Sequence, residues 1–136
     1  MEKRMILLAR RPLLASLGLA GIAAIRPARA AERAAWSDAA FDAAQAAGRP
    51  ILIDVWASWC PTCRAQEPGV EAALADPAFA TALFLKVNFD DDKDALRRLR
   101  VRSQSTLIAF RGREERGRAI GITDPVAIRA LYLKAV

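Results

Sequence analysis

Past Ala30 the chain alternates between helix-like and strand-like stretches of apolar residues. Ser37 suits the N-cap of a helix running to about Ala47, which Gly48-Arg49-Pro50 then ends. Ile51 to Trp56 (Ile-Leu-Ile-Asp-Val-Trp) is an apolar run without alternation, the pattern of a strand covered on both faces. A second helix is expected from about Pro61 to Ala75; proline suits its first turn, whereas Pro68 lies deeper and should kink it. Leu83 to Phe89 reads as another central strand, and Asp90-Asp91-Asp92 opens a helix through about Leu99, with carboxylates at the positive end of its dipole. Thr106 to Phe110 is a third strand, Gly112 a turn, and Arg116 to Ile120 its hairpin partner. Asp124-Pro125 then caps and starts a last helix reaching Lys134. This order predicts an α/β fold, a mixed sheet of about four strands flanked by helices on both faces.

The first thirty residues follow a different pattern. Met1 to Arg11 is basic, Leu13 to Ile25 is an unbroken run of 13 apolar or small residues, and Ala28-Arg29-Ala30 has the small-x-small form of a cleavage site. Such a three-part leader is the design of a bacterial secretory signal. A spanning helix needs about 20 apolar residues, so a signal fits better than a permanent anchor. Arg10-Arg11 before Pro12-Leu13-Leu14 resembles a twin-arginine signal, although Ala9 stands where Ser or Thr is usual; an ordinary Sec signal is the other route. The expected division is a leader at 1–30 and one domain at 31–136, working in the periplasm or outside the cell.

Charge changes little in this picture. The formal net charge is +6, but six of the 21 basic residues and one of the 15 acidic residues precede Ala31. The body is therefore close to neutral, which removes the basic footprint of a nucleic-acid binder. There are two cysteines and no histidine. Two cysteines do not staple a scaffold, and without histidine the chain has neither Cys–His catalysis nor the commonest zinc sites.

The candidate chemistry lies in Trp59-Cys60-Pro61-Thr62-Cys63, where a buried strand turns into a helix. Two thiols at this spacing can close a small-ring disulfide. The first faces unpaired N–H groups and the positive dipole end, which favour thiolate, so Cys60 is the expected nucleophile. Cys63, one turn further in, should be the more buried, resolving thiol. A purely structural bridge would restrain little chain entropy across so short a loop, and two cysteines alone make half a tetrahedral metal site. Redox chemistry is preferred, with the Cys60–Cys63 pair itself as the redox centre and neither a separate cofactor nor a metal.

Ile51 to Pro68, centred on Trp-Cys-Pro-Thr-Cys after an apolar strand, resembles the active-site segment of the thioredoxin family, and the likeness extends over nearly all of Trp36 to Val136. The resemblance implies the thioredoxin fold, a mixed-disulfide mechanism, and supporting places for Asp54, Lys86 and Pro68. Asp54 also has its own argument: a carboxylate within an apolar strand is costly to ionise, so its pKa should be raised. In the family the matching acid exchanges a proton with the second cysteine, and a lysine matched by Lys86 neighbours it; an exposed lysine at a strand end is the plainer reading of Lys86. Trp59, Pro61 and Thr62 around the pair, with Gln104, Ser105 and Thr106 facing it, form the expected substrate contacts.

Ser105 is the departure. Thioredoxins carry a cis-proline there, and a cis bond before serine costs about 3 kcal/mol, so the Gln104–Ser105 bond is expected to be trans. The segment should still border the site and offer backbone to a client strand. Because the family's proline discourages metal capture, Ser105 also raises the alternative of a metal or iron–sulfur site shared between two copies. The preferred function is thiol–disulfide exchange, in the reducing direction, with exported client proteins, by a monomer recharged from a membrane donor. Oxidation or isomerisation of client thiols is the alternative, and a non-catalytic binding module the third reading. Periplasmic oxidases of this family usually carry histidine between the cysteines and a helical insertion; Pro61-Thr62 and the short chain favour a reductant.

Overall fold

A computed structural model describes residues 29–136. All but the last two residues of the expected leader therefore lie outside the described residues.

The sheet forms because its central strand is apolar on both faces. Strand β2 (Pro50–Trp56) is buried from Pro50 to Val55. It pairs in parallel with β3 (Leu83–Asn88) on one side and antiparallel with β4 (Thr106–Arg111) on the other. Outside β4 lies β5 (Glu114–Ile120), antiparallel; outside β3 lies β1 (Glu32–Ala35), parallel. The order is β1-β3-β2-β4-β5, a mixed five-stranded sheet.

Helices cover both faces, as the two-sided burial of β2 requires. Ile51, Ile53 and Val55 pack with Leu85, Val87 and Ile108 against Phe41 and Ala44 of α1 (Asp38–Ala46) and Leu96 and Leu99 of α3 (Lys93–Leu99). Leu52, Phe84 and Leu107 face the other way. They pack against Val70 and Leu74 of α2 (Pro61–Ala75) and Ile128, Leu131 and Tyr132 of α4 (Pro125–Leu133). Tyr132 is fully buried there, and its hydroxyl donates to the Ile53 carbonyl at 3.2 Å, which satisfies it.

Three details differ from the sequence reading. The sheet has a fifth strand, β1, whose Glu-Arg-Ala-Ala sequence has little strand propensity; backbone pairing to β3 and two ion pairs, Arg33–Glu71 and Glu32–Arg49, hold it. β5 begins at Glu114 rather than Arg116, with an irregularity opposite Ala109 and Phe110. Helix α3 begins at Lys93 rather than Asp90, because the acidic run is spent on a turn. There the Asn88 side chain accepts from the N–H groups of Asp90 and Asp91, and the Asp92 carboxylate accepts from the Asn88 N–H. Helix α2 spans the expected Pro61–Ala75, with Pro68 inside it and exposed.

Candidate active site

Cys60 ends the loop after β2 and caps α2. Its extended backbone (φ −87°, ψ 109°) leaves the first turn of the helix free, and its sulfur accepts the Cys63 N–H at 3.0 Å. Pro61 fills the first helical position, where no N–H is missed. The two cysteines are joined as a disulfide. Their burial is the reverse of the sequence expectation: Cys60 is 1% exposed, whereas Cys63 is half-buried. Ser105 sits across from the pair, with its Oγ 3.1 Å from the Cys60 sulfur and 3.2 Å from the Cys63 sulfur.

The peptide bonds of the described residues are all trans, that before Ser105 included, as expected for serine. Ser105 occupies the segment differently from a proline, with φ +61° in the left-handed region. Such a conformation is uncommon for a residue with a side chain and costs roughly 1–2 kcal/mol. Tertiary hydrogen bonds enforce it. The Ser105 N–H donates to the Val55 carbonyl at 2.8 Å, and its carbonyl accepts from the Gly121 N–H at 2.9 Å and from Gln66 Nε2 at 3.2 Å. Both backbone groups of Ser105 are therefore committed within the chain, which leaves its neighbours in the segment to offer backbone to a client strand. Thr106 likewise turns inward, donating its hydroxyl to the Ser103 carbonyl. Gln104 is half-buried beside them, and Pro61 and Thr62 are exposed at the start of α2.

Behind the disulfide lies a cleft of about 620 Å³, whose lining includes Cys63, Asp54, Lys86, Trp56, Arg64 and Glu67. Asp54 points to the α2 side of the sheet, opposite Lys86 in the β2–β3 register. Its carboxyl is buried, and its Oδ1 makes no hydrogen bond within the protein. Burial pushes its pKa up to about 6; the Lys86 ammonium holds it down, and the Glu67 carboxylate adds a smaller upward push. Lys86 also lies 4.6 Å from the centre of the Trp56 ring. Asp54, Lys86 and Cys63 thus meet in one cleft, whereas Pro68 is not among its lining residues.

Two contacts were missed in the sequence. Trp59, 53% exposed, donates its indole N–H to Asp90 at 2.9 Å, which fixes the tryptophan beside the cysteines. No local signal links residues so far apart. Gln66 is fully buried and donates to both the Ser105 and Ile122 carbonyls, tying two loops to α2. A signal did exist for it: Gln66 is the polar member of the face that also buries Gly69, Val70, Ala73 and Leu74.

The thioredoxin family model matches residues 32–132. This chain belongs to the thioredoxin family. It is 33% identical to thioredoxin of Mycoplasma genitalium over 86 residues, 63% of this chain and 82% of that protein. Thioredoxin of Mycoplasma pneumoniae is 36% identical, over 61% of this chain and 79% of its own. Among solved structures, Trxlp from Edwardsiella tarda EIB202 is 46% identical with a TM-score of 0.71, covering 73% of this chain and 96% of that one. In this thioredoxin-family chain the Cys60–Cys63 pair is the redox centre of a thiol–disulfide oxidoreductase. Among the described residues no group of three or more His, Cys, Asp or Glu is placed to hold a metal ion.

The raised Asp54 pKa has a consequence for stability. Between about 3.8 and about 6 the native state binds more protons at this group than the unfolded chain, so stability falls as pH rises through that window and stays lower above it. Replacing Asp54 with Asn should therefore raise the unfolding free energy of the oxidised protein by up to about 3 kcal/mol at pH ~8. At pH ~4 the gain should be less than about 1 kcal/mol. Urea unfolding at the two pH values checks this; an equal gain at both would contradict the burial argument.

Proposed function

We propose that this protein reduces or exchanges disulfides of exported client proteins, with Cys60 as the attacking thiolate. The observation that carries the reading is the placement of the Cys60 sulfur at the N-terminus of α2, on the Cys63 N–H. Thiolate is favoured there by the hydrogen bond and by the dipole. The Cys60 thiolate attacks one client sulfur, forming a mixed disulfide and releasing the other client sulfur as thiolate. Cys63 loses its proton to Asp54 across the shared cleft and attacks the Cys60 sulfur. The Cys60–Cys63 disulfide re-forms, the second client thiolate leaves, and two electrons have passed to the client. An acid with pKa about 6 suits this transfer, since near neutral pH it both accepts and returns a proton. Exposed Trp59, Pro61 and Thr62 border the pair as a surface for the client chain. Reduction of the protein by a membrane donor would complete the cycle, with the protein acting as a monomer.

Exposure favours a second assignment of the two sulfurs. Cys63 lines the open cleft while Cys60 is buried, so an incoming thiolate reaches Cys63 more readily and Cys60 would leave. Single-cysteine variants distinguish the two. With a disulfide-containing client peptide, Cys63→Ala should accumulate a stable mixed disulfide on Cys60, and Cys60→Ala should lose exchange altogether. A mixed disulfide trapped in Cys60→Ala instead would establish the second assignment. If the protein oxidises a dithiol peptide but cannot reduce its disulfide, the proposed direction is wrong.

Export rests on the basic, apolar and small-residue pattern before Ala31. The mass of protein recovered from outside the cytoplasmic membrane should correspond to a chain beginning at Ala31. Retention in the cytoplasm at full length would rule export out.

A further inference from the structure

Ser105 offers what a proline at this position cannot: a proton donor aimed at the dithiol. Its Oγ stands within hydrogen-bond distance of both sulfurs, at 3.1 and 3.2 Å. The hydroxyl is held there by a chain of constraints. The left-handed φ fixes the direction of the side chain, and the Val55, Gly121 and Gln66 hydrogen bonds fix the backbone. Ser105 is 4% exposed, so water competes poorly for its proton.

A hydroxyl carries one proton and donates one hydrogen bond at a time. Sulfur in a disulfide is a weak acceptor, whereas a thiolate carries full charge and accepts a stronger, charge-assisted bond. The same donor therefore stabilises the reduced protein more than the oxidised one. The Cys60 sulfur also accepts the Cys63 N–H at 3.0 Å, at the start of α2, which makes Cys60 the sulfur that holds the charge. We propose that the Ser105 hydroxyl donates a hydrogen bond to the Cys60 thiolate and thereby makes this pair more oxidising than the same fold without it. Ser105 touches a reacting sulfur, and on this assignment it is a catalytic residue rather than a substrate contact. The inference deepens the function proposed above and rests on the Cys60 thiolate of that reading.

Two variants separate the hydroxyl from the backbone. Ser105→Ala removes the hydroxyl and keeps the left-handed strain; Ser105→Gly removes the hydroxyl and relieves the strain. Each is equilibrated with glutathione, so that protein disulfide and two glutathione thiols exchange with protein dithiol and glutathione disulfide. Each reduced protein is also titrated by its thiolate absorbance. Both variants should shift the equilibrium about tenfold toward the protein disulfide, a potential lower by about 30 mV, and should raise the pH at which Cys60 ionises by about one unit. Values within twofold of the parent in both variants would overturn the proposal. A shift in Ser105→Ala that is absent in Ser105→Gly would overturn it too, assigning the effect to backbone conformation. Titration of Cys60→Ala isolates the underlying assignment: a low-pH thiolate that survives in that variant belongs to Cys63, and the function reading fails whatever Ser105 does.

Discussion

Strand β2 runs between β3 and β4 with helices on both faces, and this confinement governs the site. A shift of one residue would turn every side chain to the opposite face, sending Ile53 toward α2 and Asp54 into the packing of α1 and α3. With the register fixed, Asp54 lines the cleft behind the disulfide, the Val55 carbonyl anchors Ser105, and the chain leaving Trp56 delivers Cys60 to the start of α2. Acid, serine and thiol are thus placed by successive parts of one strand. Gln66 and Gly121 complete the arrangement from α2 and from the loop after β5.

That arrangement is not the most stable one available to the fold. A buried carboxylate is held without a hydrogen bond at one oxygen, and a residue with a side chain is held at positive φ. Together these disfavour the folded state by a few kcal/mol, a sizeable share of the roughly 5–15 kcal/mol that stabilises an ordinary domain. Both lie at the redox centre, although Arg100 at the end of α3 also has a positive φ and the buried Trp36 indole N–H has no partner. Ser37, Asp76 and Asp124 cap their helical segments, and the aromatic rings of Phe41 and Phe110 meet edge to face.

The sequence was most informative where one element's own pattern decides the outcome. The two-sided burial of β2, the proline at the start of α2 and the Asp124-Pro125 start of α4 could be read directly, and so could the pairing of Cys60 with Cys63. It was least informative where partners distant in sequence decide. Strand β1 has no strand signal of its own and exists because β3 offers an edge. The acidic run looked like the start of a helix, yet Asn88 gathers its N–H groups into a turn. The relative burial of the cysteines is the reverse of what helix position alone implied, with Cys60 buried and Cys63 half-buried. Ser105 itself was visible as a departure, but not the left-handed backbone that brings its hydroxyl to the sulfurs.

The central claim is that charge in the reduced pair resides on Cys60, although Cys63 is the more exposed of the two. Limited alkylation tests it most directly. Reduced protein is treated with less than one equivalent of iodoacetamide at mildly acidic pH, and the modified cysteine is located by peptide mass mapping. Because thiolate is the reacting species, modification should fall first on Cys60. Modification falling first on Cys63 would mean that exposure outweighs the helix terminus and the Ser105 hydroxyl, and would contradict the account.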